Sequence, residues 1–380
     1  MTTPVRVLVV DDSALMRKLI PQILATDNSI QVVGTAMDGN FGLKKIEELR
    51  PQVITLDLEM PGMGGLDMLK EIMRGHRLPV IVVSSHSTQG ASVTLKALSM
   101  GAFDFVAKPT DVSARMPEIA RELITKIKAA AQSRGIRFSS PTVPAAAPLE
   151  KAAPDTKNRP TRVVAIGVST GGPQALQYVL PQLPKDFPGT ILIVQHMPEG
   201  FTDMFSRRLD EICAIRVKEA QSGDLLLAGR ALVCPGSRHM KVKRLPLGDV
   251  AVLNDEPRVN GHRPSVDVLY RSVAEEFGNQ SVAVLMTGMG EDGAQGMSQV
   301  KAAGGMTIAQ SEESCVVFGM PKAAIERGYA VRVVALEALA NTLLAQCMQD
   351  RKTTVELSEG GKAAGAGKDF PARNTWCREN

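Results

Sequence analysis

Short apolar runs alternate with amphipathic helical stretches along most of this chain. Val5–Val10, Val32–Val33, Val53–Leu56, Val80–Val83 and Phe103–Val106 carry little polar interruption. Such runs predict strands buried on both faces of a parallel sheet, because a strand with one wet face alternates instead. Between them apolar residues recur at helical spacing. Leu15, Met16, Leu19, Ile20, Ile23 and Leu24 line a helix after Ser13, and Ile119, Leu123, Ile124 and Ile127 line one over 116–131. Five strands alternating with five helices predict a doubly wound α/β unit over residues 1–125.

The pattern then stops. Residues 126–160 are expected to form a linker, with its Pro/Ala character plain from Gln132 onward in Val143-Pro-Ala-Ala-Ala-Pro148 and Ala152-Ala-Pro-Asp155. Strand character returns at Arg162-Val-Val-Ala-Ile-Gly167, and a second α/β unit is expected over 161–350, closing in a helix around 336–349. Residues 351–380, with the lone Trp376, read as a disordered tail without an assigned role.

Composition narrows the class. The chain has 380 residues, 44% hydrophobic and 22% charged, as expected of a soluble globular protein with two or three domains. No apolar run approaches the roughly 18 residues that cross a bilayer, and the N-terminus enters a strand without a signal-peptide core. Net charge is +4 and dispersed, so neither nucleic acid nor membrane insertion is implied. Cys213, Cys234, Cys315, Cys347 and Cys377 are scattered with no Cys-x-x-Cys pair, which argues against a disulfide framework or zinc site. A reduced, cytoplasmic protein is the expectation.

Chemistry enters at the strand ends. Asp11 and Asp12 follow the first strand, Asp57 a later one, and Lys108-Pro109 the last. In an open parallel sheet these carboxyl ends converge on one crevice. Three carboxylates crowded there repel one another unless a hard divalent cation, here Mg²⁺, sits among them. A lysine on a neighbouring strand end can then reach an incoming phosphoryl oxygen. Asp11 and Asp12 read alone would be helix caps, but capping does not account for Asp57 or Lys108.

The set resembles the receiver domain of two-component response regulators over roughly the first 125 residues. That resemblance implies Asp57 as phosphoacceptor, with Asp11, Asp12, Asp57 and the backbone carbonyl of Glu59 around the metal. It implies Ser84 as the hydroxyl that hydrogen-bonds the phosphoryl group, Lys108 as its counter-charge and Phe105 as the aromatic that changes rotamer. A histidine kinase is the implied phosphodonor.

The second unit repeats the design. Val163–Gly167 leads to Ser169, Thr190–Gln195 leads to His196, and Ser281–Met286 leads to a loop containing Asp292. If these strands are parallel neighbours, a serine, a histidine and an aspartate reach one edge, the constellation for acyl transfer. Gly167-Val-Ser169-Thr-Gly171 fits the tight strand-to-helix turn that presents a nucleophile, and free amides at the next helix start favour an oxyanion. The order Ser, His, Asp differs from that of the α/β-hydrolases and of both large serine-protease families, so another lineage is required. Gly288-Met-Gly290-Glu-Asp-Gly293 also matches a dinucleotide fingerprint, but Glu291 and Asp292 would face the pyrophosphate. In isolation Ser169 would be a helix N-cap and His196 a packed histidine.

Residues 161–350 resemble the catalytic domain of the chemotaxis-type protein-glutamate methylesterases (CheB type), which are receiver-linked serine hydrolases. The resemblance rests on Gly-x-Ser-Thr-Gly-Gly, Gln195-His-Met-Pro198, Pro235-Gly-x-Arg-His239, Arg263-Pro-Ser-Val-Asp267, Met286-Thr-Gly-Met-Gly-x-Asp-Gly293 and Phe318-Gly-Met-Pro321. It implies a Rossmann-like α/β hydrolase domain with a mostly parallel sheet and no cofactor. It implies Ser169 as nucleophile, His196 as base, Asp292 as its orienting partner, and the amides of Thr170 and Met289 in the oxyanion hole. The implied substrates are glutamyl methyl esters and glutamines on the cytoplasmic domains of methyl-accepting chemoreceptors. The fusion further leads us to expect that the receiver covers the cleft until Asp57 is phosphorylated. A partner-binding output without chemistry leaves the serine, histidine and aspartate unexplained, and no helix-turn-helix or basic stripe favours DNA. Arg238, His239 and Arg263 stay open between substrate positioning and fold support.

Overall fold

The structure is a computed structural model describing residues 3–85, 87–108, 116–133 and 159–360. In the N-terminal unit, β1 (Val5–Val10), β2 (Ile30–Ala36), β3 (Val53–Leu56), β4 (Val80–Ser84) and β5 (Asp104–Ala107) form one sheet in the order β2-β1-β3-β4-β5. Every pairing in it is parallel. Helices α1 (Ala14–Leu24), α2 (Gly39–Leu49), α3 (Gly65–Glu71), α4 (Thr88–Ser99) and α5 (Met116–Gln132) connect and flank the strands. Strands β3 and β4 are buried throughout, as their unbroken apolar sequence requires. The chain leaves β1 first for β2 on one side and then for β3 on the other. The crevice therefore opens between the ends of β1 and β3, where Val10 pairs with Leu56. Asp11 and Asp57 are the next residues on each strand.

The second unit contains β6 (Val163–Val168), α6 (Gly172–Val179), β7 (Thr190–Gln195), α7 (Phe201–Ile212), β8 (Arg216–Glu219) and β9 (Arg230–Val233). A hairpin of β10 (His239–Lys243) and β11 (Val250–Asn254) follows, then α8 (Val266–Phe277), β12 (Ser281–Leu285), α9 (Ala294–Ala302), β13 (Met306–Gln310), α10 (Met320–Glu326), β14 (Arg332–Val334) and α11 (Leu336–Gly360). Its seven-stranded sheet has the order β14-β13-β12-β6-β7-β9-β8, parallel at every pairing; the antiparallel pair β10–β11 stands apart. Strand β6 is the switch point here, flanked by β7 and β12, with Gly167 paired to both Val194 and Leu285.

The two units pack together. Helix α4 lies against α6 and α7. The Gln174 side-chain amide on α6 donates to Ala102 O (2.8 Å) and Leu98 O (3.4 Å) of the N-terminal unit. Phe105 on β5 stacks on Phe201 at the start of α7, with ring centres 4.7 Å apart. Leu98, Ala102 and Phe105 belong to the same buried apolar cluster as Met197, Phe201 and Phe205.

Two boundaries differ from expectation. Helix α5 continues past residue 125 to Gln132, because its apolar spacing persists through Ile127 and Ala130. Helix α11 runs beyond residue 350 to Gly360. Most of the 126–160 linker, the tail from residue 361, Trp376 and Pro109 lie outside the described residues. No helix among the described residues is long and apolar enough to cross a membrane.

Candidate active site

Adjacent strands β12, β6 and β7 deliver Asp292, Ser169 and His196 to one edge, as the parallel-neighbour condition required. Ser169 lies one residue beyond β6, in a turn tied to the next strand by its own amide donating to Thr287 O at 3.0 Å. It does not cap α6. The N-cap of that helix is Gly171, in the left-handed region at φ 78° with no side-chain cap bond, so the serine hydroxyl is left for other work. Gly288 makes the close approach on the other side, where an added Cβ would fall 2.8 Å from Ser169 Cβ.

His196 Nε2 bonds Asp292 Oδ2 at 2.9 Å. Its Nδ1 is buried with no hydrogen-bond partner among the described residues. Asp292 is only 1% exposed yet well supplied with donors. Ser265 Oγ (2.7 Å) and the amides of Val266 (2.7 Å) and Asp267 (3.3 Å) all donate to it, with Asn260 Nδ2 at 3.4 Å. Asp292 thus occupies the amino end of α8, where free amides and the helix dipole favour an anion. Burial pushes its carboxyl up, but the bond and charge of His196 and these donors outweigh it and hold the group well below its ordinary range. It stays ionised opposite the imidazole.

Among the described residues neither the Thr170 nor the Met289 amide has a backbone acceptor, which fits both for an oxyanion. Thr287 Oγ1 donates to Thr170 O (3.0 Å) and Val317 N donates to Thr287 Oγ1 (3.0 Å), holding the two walls of this pocket together.

Sequence reasoning missed His262. Its ring lies flat on that of His196, with centres 3.9 Å apart and planes 3° from parallel. Burial, then the neighbouring His196, lower its pKa to about 4. Asn260 and Ser265 were missed as well. All three belong to the irregular segment between β11 and α8, which has no periodicity to read; Ser265 lies inside the Arg263-Pro-Ser-Val-Asp267 motif, which had no role assigned to it, and Asn260 and His262 lie just before it.

The three open residues support that segment. Buried His239 bonds Pro257 O through Nε2 (3.1 Å) and accepts from Ser265 N through Nδ1 (3.2 Å). Arg238 grips the Asp255 carboxylate with two bonds of 3.0 and 3.2 Å. Arg263 precedes α8 rather than opening it, and donates to the carbonyls of Asp255 (2.9 Å) and Glu256 (3.2 Å).

In the N-terminal unit the carboxylate oxygens of Asp11, Asp12 and Asp57 come within 4.8 Å of one another. Lys108 Nζ lies 2.5 Å from Asp57 Oδ2 and 3.1 Å from Asp11 Oδ2. Burial and then, despite Lys108, the charge of Asp57 leave the Asp11 carboxyl raised, and among the described residues the one cation against Asp11 Oδ2 is Lys108, shared with Asp57. Burial alone would lower the Lys108 pKa, but the bond and charge of Asp57 raise it overall. Three crowded carboxylates facing a single lysine fit a divalent cation. Glu59 turns its carboxylate outward to Ser85 Oγ (3.2 Å), while its amide donates to Asp57 Oδ1 (3.1 Å). Ser13, not Asp11 or Asp12, caps α1. Ser84 Oγ donates to Gly90 O (3.3 Å) in the first turn of α4, and Phe105 faces Phe201, so both expected switch residues are committed to the side that meets the second unit.

The CheB methylesterase family model matches residues 164–343, and the response regulator receiver domain model matches residues 7–119. The chain is 62% identical over 361 residues to a protein-glutamate methylesterase/protein-glutamine glutaminase of Koribacter versatilis, covering 93% of this chain and 99% of that protein. A protein of the same description from Symbiobacterium thermophilum is 46% identical over 351 residues, covering 90% and 96%. The crystal structure of the Thermotoga maritima CheB methylesterase catalytic domain is 41% identical, with TM-score 0.48 over 48% of this chain and 97% of that one.

Proposed function

Because the chain belongs to the family of receiver-bearing protein-glutamate methylesterases/protein-glutamine glutaminases, we propose that Ser169, His196 and Asp292 carry its hydrolysis and Asp57 its control. The chain is a phosphorylation-regulated hydrolase that demethylates and deamidates chemoreceptors. The observation that carries the site assignment is the His196–Asp292 bond at 2.9 Å beside Ser169 on adjacent strand ends.

In this reading Ser169 Oγ attacks the γ-carbonyl carbon of a glutamyl methyl ester while His196 Nδ1 takes its proton. The imidazolium keeps Nε2–H on ionised Asp292, which stabilises it without accepting the proton. The Thr170 and Met289 amides donate to the developing oxyanion. Collapse breaks the ester C–O bond, and His196 protonates the departing methoxide to give methanol. Water, deprotonated by His196, then attacks the acyl-serine; the Oγ–acyl bond breaks, His196 returns the proton to Ser169 Oγ, and the receptor's glutamate side chain is freed. A glutamine side chain follows the same course with ammonia leaving.

Asp11, Asp12, Asp57 and the carbonyl of Glu59 are the groups that would hold Mg²⁺ in the receiver. When bound, the cation neutralises the carboxylate cluster so that Asp57 can accept a phosphoryl group from a histidine kinase. Lys108, already against Asp57, meets the added charge. Ser84 gives up Gly90 O to donate to the phosphoryl oxygens, which loosens the first turn of α4, the helix packed on α6 and α7. Phe105 leaves Phe201 in the same rearrangement. The domain limits of this reading are a receiver through Gln132 and a catalytic unit from Thr161, acting in the cytoplasm on receptor cytoplasmic helices. Covalent capture of Ser169 by a phosphonate tests the nucleophile: labelling of another residue, or none in active protein, removes the assignment.

A further inference from the structure

The residues assigned above hold the plane of the base only loosely. A single in-plane bond from His196 Nε2 to Asp292 fixes one point of the ring, and Nδ1 has no second tether in the resting structure. A small concerted change of χ1 and χ2 would tilt the ring and re-aim Nδ1 while stretching the Asp292 bond only slightly. Something must set the plane.

We propose that His262 is a positioning residue whose imidazole, lying flat against His196, fixes the plane of the catalytic base and aims Nδ1 at Ser169. This rests on the reading of His196 as the base. The rings are 3.9 Å apart and 3° from parallel, a contact over the full ring face rather than an edge touch. His262 comes from a segment with a rigid frame of its own. Val259 and His262 exchange two backbone hydrogen bonds (3.0 and 2.9 Å), and Arg258 Nη1 donates to Gly261 O at 3.2 Å. Asn260, two residues earlier, bonds Asp267 Oδ2 at 2.7 Å and so ties the segment to α8.

The charge state suits the task. The charged or titratable groups facing His262 are His196 after β7, Asp292 after β12, Arg258 on its own segment and Glu122 from α5 of the receiver. Burial and His196 keep His262 neutral at neutral pH. When His196 gains the serine proton, it therefore meets a neutral π-face rather than a second positive charge.

The test uses the full-length protein with Mg²⁺ and acetyl phosphate, measuring methanol release from methylated receptor at neutral pH. His262→Leu should fill the space without a flat face and lower kcat about 10- to 100-fold with KM within about twofold, as expected for a misaimed base. His262→Phe restores a flat, non-ionising ring and should recover kcat to within about threefold of the parent. Melting temperatures near the parent value establish that both variants fold; His262→Met replaces the Leu variant, or His262→Tyr the Phe variant, if either does not. Equal rates for the Leu and Phe variants overturn the proposal, whether both are fast or both slow. Ser169→Ala and His196→Gln run in parallel. If those two stay active, the triad reading itself fails. If they are inactive while His262→Leu is fully active, only the positioning role of His262 fails.

Discussion

Asp11 and Asp292 are both buried carboxylates at the carboxyl ends of parallel strands, yet their environments push them in opposite directions. Burial opposes the charge of each. Asp11 is buried and shares its crevice with Asp57, and together these outweigh Lys108, so its carboxyl ends raised. Asp292 faces the amino end of α8, the Ser265 hydroxyl and His196, and ends far below its ordinary range. The same topological address thus yields a cluster short of positive charge in one unit and a fully satisfied anion in the other. The first suits a site completed by a cation and then a phosphoryl group. The second suits a pre-organised site.

Removing the nucleophile probes the hydrolase side most severely. Ser169→Ala is expected to lower methanol release by about 10⁴- to 10⁶-fold, and His196→Gln nearly as much, because nucleophile and base act as one unit. Steady-state assays on folded protein check this, and near-normal turnover by Ser169→Ala would end the mechanism. Asp292→Asn should cost about 10²- to 10⁴-fold, since it leaves both reacting groups in place but disturbs the tautomer.

The same substitution breaks the electrostatic side of the comparison. Asp292 has a depressed folded pKa, so its charge contributes stability above its ordinary value of 3.8, lost as pH falls through the lowered folded value. Asp292→Asn should therefore melt earlier than the parent at neutral pH, with the gap narrowing in acid. In a chelating buffer Asp11→Asn should do the reverse and raise the melting temperature, by relieving repulsion with Asp57. Thermal scans of the two variants check both signs, and a shared sign would refute the contrast.

The smallest effect expected is at the contact between the units. Phe105→Ala removes one stacked aromatic pair, worth about 0.5–1.5 kcal/mol, and should raise unphosphorylated activity about 2- to 10-fold. Basal rates of the two proteins, without phosphodonor, check it; an unchanged rate would mean that the Phe105–Phe201 stack does not hold the covered state.

Residues at regular strand ends were legible in the sequence. Asp11, Asp57, Ser169, His196 and Asp292 follow unbroken apolar runs, and a parallel sheet sends such positions to one edge whatever the details of packing. The surroundings of Asp292 were not legible. They depend on how the segment from Asp255 to Ser265 folds back, through His239, Arg238 and Arg263 gripping its backbone, and no periodicity announces such contacts. For the same reason His262 did not stand out as a neighbour of His196, although it sits beside a segment the family resemblance had already marked. In the second unit only β6, β7 and β12 were read from the apolar pattern; β8 and β14 are short and partly exposed, and β9, β10, β11 and β13 escaped it as well.

In the proposed function, a phosphoryl group on Asp57 releases a hydrolase site already built around Ser169. The direct measurement is methanol release from methylated receptor by the full-length chain, with and without acetyl phosphate and Mg²⁺, beside the Asp57→Asn variant. The parent should accelerate about 5- to 150-fold, the range of a coupling of about 1–3 kcal/mol, while Asp57→Asn stays at the parent's basal rate under both conditions. A parent that does not respond, or an Asn variant that responds equally, would contradict the claim.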